Sequence, residues 1–360
     1  MGSDREEARR AFLRDARLGD ARRERLPGDA STRLYERLHP AGGGTLILMD
    51  QPPSLESVPC PADATPAERA TLGYNALTRL AAGRVDAFVA AAGWLREQGL
   101  SAPEVIASDA ARGFAVLEDL GDDLFATLLE RGADEAVLYD AATDVLLALH
   151  AVAPTETIGD GWPLLTYDGV ALGAYLEVFV EWFPKFAQIP AFDAEALSEW
   201  ETIWAPVRDL AEHGPSVFCH RDFHAENLIW LPNRQGAARV GLLDFQDAVR
   251  AHPAWDLSML LHDARRDVSP AREAAVLERY LDARPQLDRE AFVADYHRLG
   301  AINIVRILAL FSRLVARDGK PRYRAFMPRL WRYLDTCIGE DGVVRLRPWL
   351  ARNIPADARR

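Results

Sequence analysis

His220-Arg221-Asp222-Phe223-His224-Ala225-Glu226-Asn227 sets an acid and an amide five residues apart, and Leu242-Leu243-Asp244-Phe245 adds a second acid seventeen residues beyond Asn227. Each group stands at the end of a short apolar run with strand character, at 216–219, 228–231 and 239–243. Outward from these strands the pattern turns helical. Upstream, the 3.6-residue period predicts helices near 123–131, 134–152, 169–187 and 193–212. Downstream, helices dominate to about residue 338.

Further toward the N-terminus the pattern changes. Residues 3–18 read as a charged helix, with Ser3-Asp4-Arg5-Glu6 as a capping box. Leu26-Pro27-Gly28-Asp29-Ala30-Ser31-Thr32-Arg33 then forms a turn that feeds alternating Leu34-Tyr35-Glu36-Arg37-Leu38, and with a strand at 45–49 this makes a hairpin. A proline-rich loop spans 52–66, a helix covers 84–98, and two strands follow at 104–108 and 113–118. The fold class expected is α+β and two-lobed. It has a small strand-rich lobe at 1–118, a connector at 119–121 and a larger helical lobe at 122–360.

Composition limits the function classes. A chain of 360 residues with 49% hydrophobic and 27% charged residues can bury a full core. A net charge of −12 argues against a partner rich in phosphate, whether nucleic acid or an acidic membrane. Cys60, Cys219 and Cys337 show no paired spacing, which excludes a disulfide framework and a zinc cage and suits a reducing cytoplasm. No apolar run approaching a bilayer span is expected, and no signal peptide.

The 220–227 stretch matches the H-R-D-x-x-x-x-N catalytic loop of phosphoryl-transfer enzymes. The transition state of that reaction spreads negative charge over the moving phosphoryl oxygens, so catalysis consists of positioning and charge neutralisation. Magnesium prefers hard oxygen ligands and keeps waters, so one amide and one carboxylate beside the nucleotide phosphates suffice. Asn227 and Asp244 are the expected metal ligands, and Asp222 the group that takes the proton of an acceptor hydroxyl. Downstream, Pro253-Ala254-Trp255-Asp256-Leu257 resembles the P-x-x-D-L segment of the aminoglycoside phosphotransferase and choline kinase superfamily. That resemblance implies that Asp256 ties down the catalytic loop, with His220 beside it as a structural residue. As a first-turn helix residue Asp256 is also favoured by the dipole, and both readings hold together.

On the nucleotide side, the resemblance implies ATP as cofactor, with phosphates under Ser31, Thr32 and Arg33 and adenine against the main chain at Glu118 and Leu120. Taken alone, the Ser31-Thr32 turn reads equally as an ordinary polar turn. One departure stands out. The superfamily carries a lysine on its third strand, whereas this chain has only Lys185 and Lys320. The phosphate cation must then be an arginine. Arg33 and Arg37 share a strand face and are the candidates, although Arg37 reads equally as solvent-facing.

Several of these segments together resemble the bacterial anomeric sugar kinases of cell-wall recycling: 28–35, Leu48-Met49-Asp50-Gln51-Pro52-Pro53, Glu118-Asp119-Leu120-Gly121 and the 220–227 loop. The resemblance implies phosphorylation of the C1 hydroxyl of N-acetylmuramate and N-acetylglucosamine, and an acceptor side that includes the helix carrying Tyr175 and Glu177; His224 of the loop and Arg306 and Arg313 of the basic segment are further acceptor-side candidates. Tyr175, Phe179 and Trp182 are spaced as a core stripe, or alternatively a sugar platform. Nine basic residues and one acid, Asp318, lie between Arg298 and Arg332. They disfavour a polycationic acceptor and would suit a lactyl carboxylate, or else form a solvated face. Other small-molecule kinases of the fold, acting on an aminoglycoside, choline, thiamine or homoserine, are the alternative, and a non-catalytic pseudokinase is a further one.

Overall fold

The structure is a computed structural model that describes residues 2–27, 33–52, 58–339 and 342–359. Along the first part of the chain come α1 (Gly2–Asp15), β1 (Arg22–Arg25), β2 (Leu34–His39), β3 (Leu46–Asp50), α2 (Pro66–Leu72), α3 (Tyr74–Leu77), α4 (Val85–Glu97), β4 (Val105–Asp109) and β5 (Phe114–Glu118). Then follow α5 (Phe125–Glu130), α6 (Glu135–Ala151), β6 (Thr157–Ile158), β7 (Trp162–Pro163), α7 (Gly169–Ala187), α8 (Ala194–His213), β8 (Val217–Cys219), β9 (Leu228–Trp230), β10 (Val240–Leu242) and β11 (Val249–Ala251). The chain ends with α9 (Ala254–Leu261), α10 (Pro270–Asp282), α11 (Arg289–Ala316), α12 (Met327–Cys337) and α13 (Leu346–Asn353). This is the α+β class read from the sequence, with a strand-rich first part followed by a helical majority.

Packing divides the chain into two compact units. One comprises Met1–Ala148, Thr155–Leu164 and Glu226–Ala248; the other comprises Leu149–Pro154, Leu165–Ala225 and Val249–Arg360. The first unit thus continues past the connector at 119–121 and takes in 226–248 from the later chain.

The first unit is built on an antiparallel sheet in the order β1-β2-β3-β5-β4. Alternation along each strand sorts its side chains onto two faces. Leu38, Leu48, Phe114 and Val116 point to one face and pack with Phe12 and Leu13 of α1. The same parity sends Glu36 and Asp50 to the α1 side. There, Arg5 and Arg9, one helical turn apart, both bond the buried Asp50 carboxylate through Nε at 2.9 and 3.0 Å. The opposite parity, Arg33, Tyr35, Arg37, Ile47 and Leu117, faces the cavity described below, and Met49 lines a second one beside Arg33 and Gln246.

Several elements depart from the sequence reading. β1, Arg-Arg-Glu-Arg, has no apolar alternation. It is a strand because Arg23 reaches Glu36 on β2 at 2.6 Å and Glu6 on α1 at 2.7 Å. α2 and α3 lie just past the proline-rich loop, and α2 opens on a capping box in which Thr65 N–H donates to Glu68 at 2.8 Å and Glu68 N–H donates to Thr65 Oγ1 at 3.3 Å. α13 follows the last expected helix.

The second unit packs α7, α8, α9 and α12 around α11. Side chains of Asp168, Asp193 and Asp288 cap α7, α8 and α11 by accepting the N3 amide. Phe179 stacks between Phe183 and Trp200, so this part of the α7 stripe is core. The expectation that no apolar run approaches a bilayer span is corrected by α11. At 28 residues it is long and apolar enough by length and composition, and 72% of its most apolar window is buried within the protein. Neighbours bury it on every side from Leu299 to Ala309.

Asp50 holds two arginines of α1 at the end of β3, and truncating it leaves both guanidinium groups facing a half-buried void. Asp50→Ala is expected to lower unfolding free energy by about 3–5 kcal/mol, read from urea denaturation. A change under about 1 kcal/mol would show that this network contributes nothing net.

Candidate active site

In the first unit, strand register brings the amide and the second carboxylate together. β9 and β10 pair with Leu228 opposite Leu242. Asn227 precedes the one and Asp244 follows the other by two residues, and Leu243 N–H donates to the Asn227 carbonyl at 2.9 Å. Asp244 has φ 62°, a left-handed conformation that aspartate tolerates better than most residues. Phe245 turns inward and stacks on Phe88 of α4, with ring centroids 4.8 Å apart.

Asn227 and Asp244 line a cavity of about 500 Å³ together with Arg33, Arg37, Glu118 and Leu120. Ile47, Leu117, Leu124, Ile229 and Leu243 give it an apolar wall, and Arg33, Asn227 and Asp244 a polar one. That size and division suit a ligand with a flat apolar part and a charged part. The donor set, one carboxylate and one amide, fits a hard divalent cation that completes its shell with phosphate oxygens and water.

Arg33 bonds Asp244 through Nη2, and its Nη1 donates to Gln246 Oε1 at 2.8 Å and to Tyr35 Oη at 3.3 Å. Gln246 Nε2 in turn donates to Asp244 at 3.1 Å and Asp247 at 3.0 Å. Burial pulls the Arg33 guanidinium down, but the charges of Asp244, Tyr35 and Asp247 outweigh it and hold it above its ordinary value. Arg37, the other candidate cation, is neither solvent-facing nor uncommitted: it bonds Asp119 at 2.6 Å and Asp122 at 2.7 Å. Glu118 spends its backbone N–H on Glu104 at 2.8 Å. Ser31 and Thr32 lie outside the described residues.

In the second unit, β8 pairs with β11, Cys219 opposite Val249, and delivers the chain to the loop that begins at His220. His220 and Arg221 are fully buried, and their backbone N–H groups would be orphaned there. Asp256, in the first turn of α9, accepts both, at 2.7 and 2.9 Å, and also the Cys219 thiol at 3.2 Å. Burial pushes the Asp256 carboxyl above its ordinary value, against the pull of His220 and these three donors. The His220 ring packs edge-on to Phe223. Arg221 has φ 79°, costly for a non-glycine residue, and is held by Trp255 Nε1 donating to its carbonyl at 3.3 Å. Its guanidinium lies over Tyr167 and donates to Tyr175 Oη at 2.9 Å.

Asp222 follows, half-buried, its carbonyl accepting the His224 N–H at 3.1 Å. Arg306 Nη2 reaches its Oδ1 at 3.5 Å. Among the residues expected on the acceptor side, Tyr175 and Arg306 are therefore brought to the loop. Glu177 is not. Two residues beyond Tyr175 is about 200° round a helix, so Glu177 leaves on the opposite face of α7 and is exposed. Arg313 shares the Arg306 face but stands about 10 Å further along α11.

The basic 298–332 segment does not gather into an anion pocket. Arg298 pairs with Asp295, Arg317 with Asp318, and Arg329 and Arg332 with Asp267. Arg322 and Arg324 lie over the rings of Tyr323 and Phe186. Sequence reading missed Gln246 and Asp247, whose nearness to Asp244 was a usable signal, and also Tyr167, Arg221 and Asn303, whose partners are set by tertiary packing.

Residues 22–293 match the family model described as the phosphotransferase enzyme family. The N-acetylmuramate/N-acetylglucosamine kinase of Caulobacter vibrioides is 66% identical over 364 aligned positions, covering 100% of this chain and 99% of that protein. A Pseudomonas aeruginosa protein of the same name is 31% identical, covering 86% of this chain and 82% of its own length. Among solved structures, choline kinase LicA from Streptococcus pneumoniae aligns with TM-score 0.56 at 16% identity, covering 93% of this chain and 100% of that one. A choline/ethanolamine kinase family protein from Mesorhizobium loti aligns with TM-score 0.58 at 16% identity, covering 95% and 99%. At such identity these two establish the fold alone. With a family match over three quarters of its length and a relative two-thirds identical from end to end, the chain belongs to the phosphotransferase enzyme family.

Proposed function

We propose that the chain transfers the γ-phosphoryl group of ATP to the anomeric C1 hydroxyl of N-acetylmuramate and N-acetylglucosamine. The products are sugar α-1-phosphates used in cytoplasmic peptidoglycan recycling. The observation that carries the choice of acceptor is the 66% identity, over essentially the full length of both chains, with a kinase named for those two sugars. Transfer itself is supported by the cavity that joins an apolar wall to Arg33, Asn227 and Asp244.

In this reading adenine lies along the apolar wall, met by the Glu118 carbonyl and the Leu120 N–H. The Glu118 N–H is committed to Glu104, so its contribution is the carbonyl. Ser31 and Thr32 would donate to the phosphates, and Arg33 stands in for the absent strand lysine. Asn227 and Asp244 would hold magnesium, which supplies charge neutralisation at the phosphate oxygens when bound. Asp222 orients the C1 hydroxyl and accepts its proton as that oxygen attacks phosphorus in line. Asp256 and His220 serve the loop that presents it. The lobe division at 119–121 belongs to the same proposal, with the connector as the adenine-binding main chain.

Proton and phosphorus NMR of the product from ATP and N-acetylmuramate tests the acceptor and the carbon at once. A phosphorus-coupled α-anomeric proton is expected. Phosphorylation at another carbon, or turnover of choline or kanamycin with neither amino sugar, would overturn the assignment.

Asp222→Asn is expected to lower kcat by about 10²–10⁴ with ATP binding by calorimetry preserved; a native rate removes Asp222 from the chemistry. Arg33→Ala should raise the KM for ATP far more than that for the sugar. Equal effects would deny it the lysine's place.

A further inference from the structure

Arg306 is on α11, buried to 5% exposure, and its neighbours Asn303, Met259, Tyr175 and Trp255 are buried too, while Asp222 is half-buried. Its Nε donates to Asn303 Oδ1 at 3.0 Å, one helical turn back on the same face. Its Nη2 meets Asp222 Oδ1 at 3.5 Å and Met259 Sδ at 3.4 Å. The guanidinium carbon stands 5.6 Å from the ring centres of both Tyr175 and Trp255. Asn303 is fully buried and its own Nδ2 donates to Met259 Sδ at 3.0 Å, which fixes the amide with its oxygen toward Arg306. A buried cation requires compensation at short range, and here the carboxylate nearest to it is the one that would take the acceptor's proton.

We propose that Asn303 and Arg306 form a positioning pair that aims the Asp222 carboxylate, and that Arg306 does not read an acidic group on the acceptor. The inference rests on Asp222 being the proton acceptor. Two physical points carry it. First, two of the three guanidinium nitrogens of Arg306 are engaged, Nε by Asn303 and Nη2 by Met259 and Asp222, beside the rings of Tyr175 and Trp255. An acceptor carboxylate that took Nε would break the Asn303 bond and strand a buried amide oxygen, and one that took Nη2 would displace Asp222. Second, the contact to Asp222 is 3.5 Å and reaches one oxygen, longer than a charge-assisted clamp. It orients the carboxylate electrostatically without the tight bidentate grip that would compete for the incoming proton. Misplacing a reacting group by about 1 Å can cost on the order of 10²-fold in rate, so aim alone is a sufficient role.

The test compares native enzyme with Arg306→Ala, Arg306→Lys and Asn303→Ala on two acceptors that differ in charge, N-acetylmuramate (acidic) and N-acetylglucosamine (neutral). Arg306→Ala is expected to lower kcat by about 10²-fold and by the same factor for both sugars, with each KM within about threefold of native. Added guanidinium should restore part of the lost kcat. Arg306→Lys should retain part of it, and Asn303→Ala should lose about tenfold with the same kcat-only signature. A KM rise confined to N-acetylmuramate would overturn the inference and make Arg306 a reader of the lactyl carboxylate; an unchanged kcat would overturn it outright. If Arg306→Ala does not fold by circular dichroism, Arg306→Lys and Asn303→Ala decide by the same criterion. Should native enzyme use neither sugar, it is the amino-sugar assignment that falls. The series is then run on the hydroxyl acceptor it does use, where loss of kcat alone supports the pair and an unaltered kcat rejects it.

Discussion

The Asp256 carboxylate is the group without which the 220–222 loop has no reason to hold its shape. The loop enters from β8 with two consecutive amides buried and one residue, Arg221, in a left-handed conformation. Neither feature is tolerable unless the orphaned N–H groups find an acceptor, and a single carboxylate with two oxygens takes both. Burial raises the carboxyl's own cost, and the donors offset only part of it. Arg221 is then locked at its far end by Tyr175 and Tyr167, so that Asp222, next in the chain, has little freedom left. The loop's two buried amides and the Arg221 carbonyl are all bonded within the same unit.

In the first unit the same logic runs through strand parity. Because side chains alternate, one choice of register decides that Asp50 and Glu36 meet the arginines of α1 while Arg33, Tyr35 and Arg37 meet the cavity. A slip of one residue would exchange the two sets. The network of Arg5, Arg9, Arg23, Glu6, Glu36 and Asp50 therefore does more than hold α1 on the sheet. It fixes which arginines remain on the cavity side.

How much of this the sequence disclosed depends on whether a residue's partner is local. Asp222, Asn227 and Asp244 could be read because their spacing and their places at strand ends are themselves the signal. The helical period equally separates Tyr175 from Glu177. It does not say which of them a loop 46 residues away will reach, and Arg221 reaches Tyr175. The basic run at 298–332 left a carboxylate-binding face and a solvated face equally open for a physical reason. Counting charges along a chain ignores that aspartates distant in sequence, such as Asp267, can neutralise it once folded. β1 was invisible because four charged residues have no pattern of their own and become a strand only through Glu36 and Glu6.

The contacts of Arg33 follow from strand geometry. β2 and β3 pair with Leu34 opposite Asp50 and Tyr35 opposite Met49, so Arg33 sits one step beyond the last pair, diagonal to Met49. The planar fork of Arg33 lets one nitrogen engage Asp244 while the other is held by Gln246 and Tyr35. An ammonium group at the same position would have no fork with which to keep both contacts. A lysine restored at Arg33 would therefore keep the charge and lose the aim, which makes the DFQD stretch, 244–247, and the arginine before β2 a single device divided between two distant parts of the sequence.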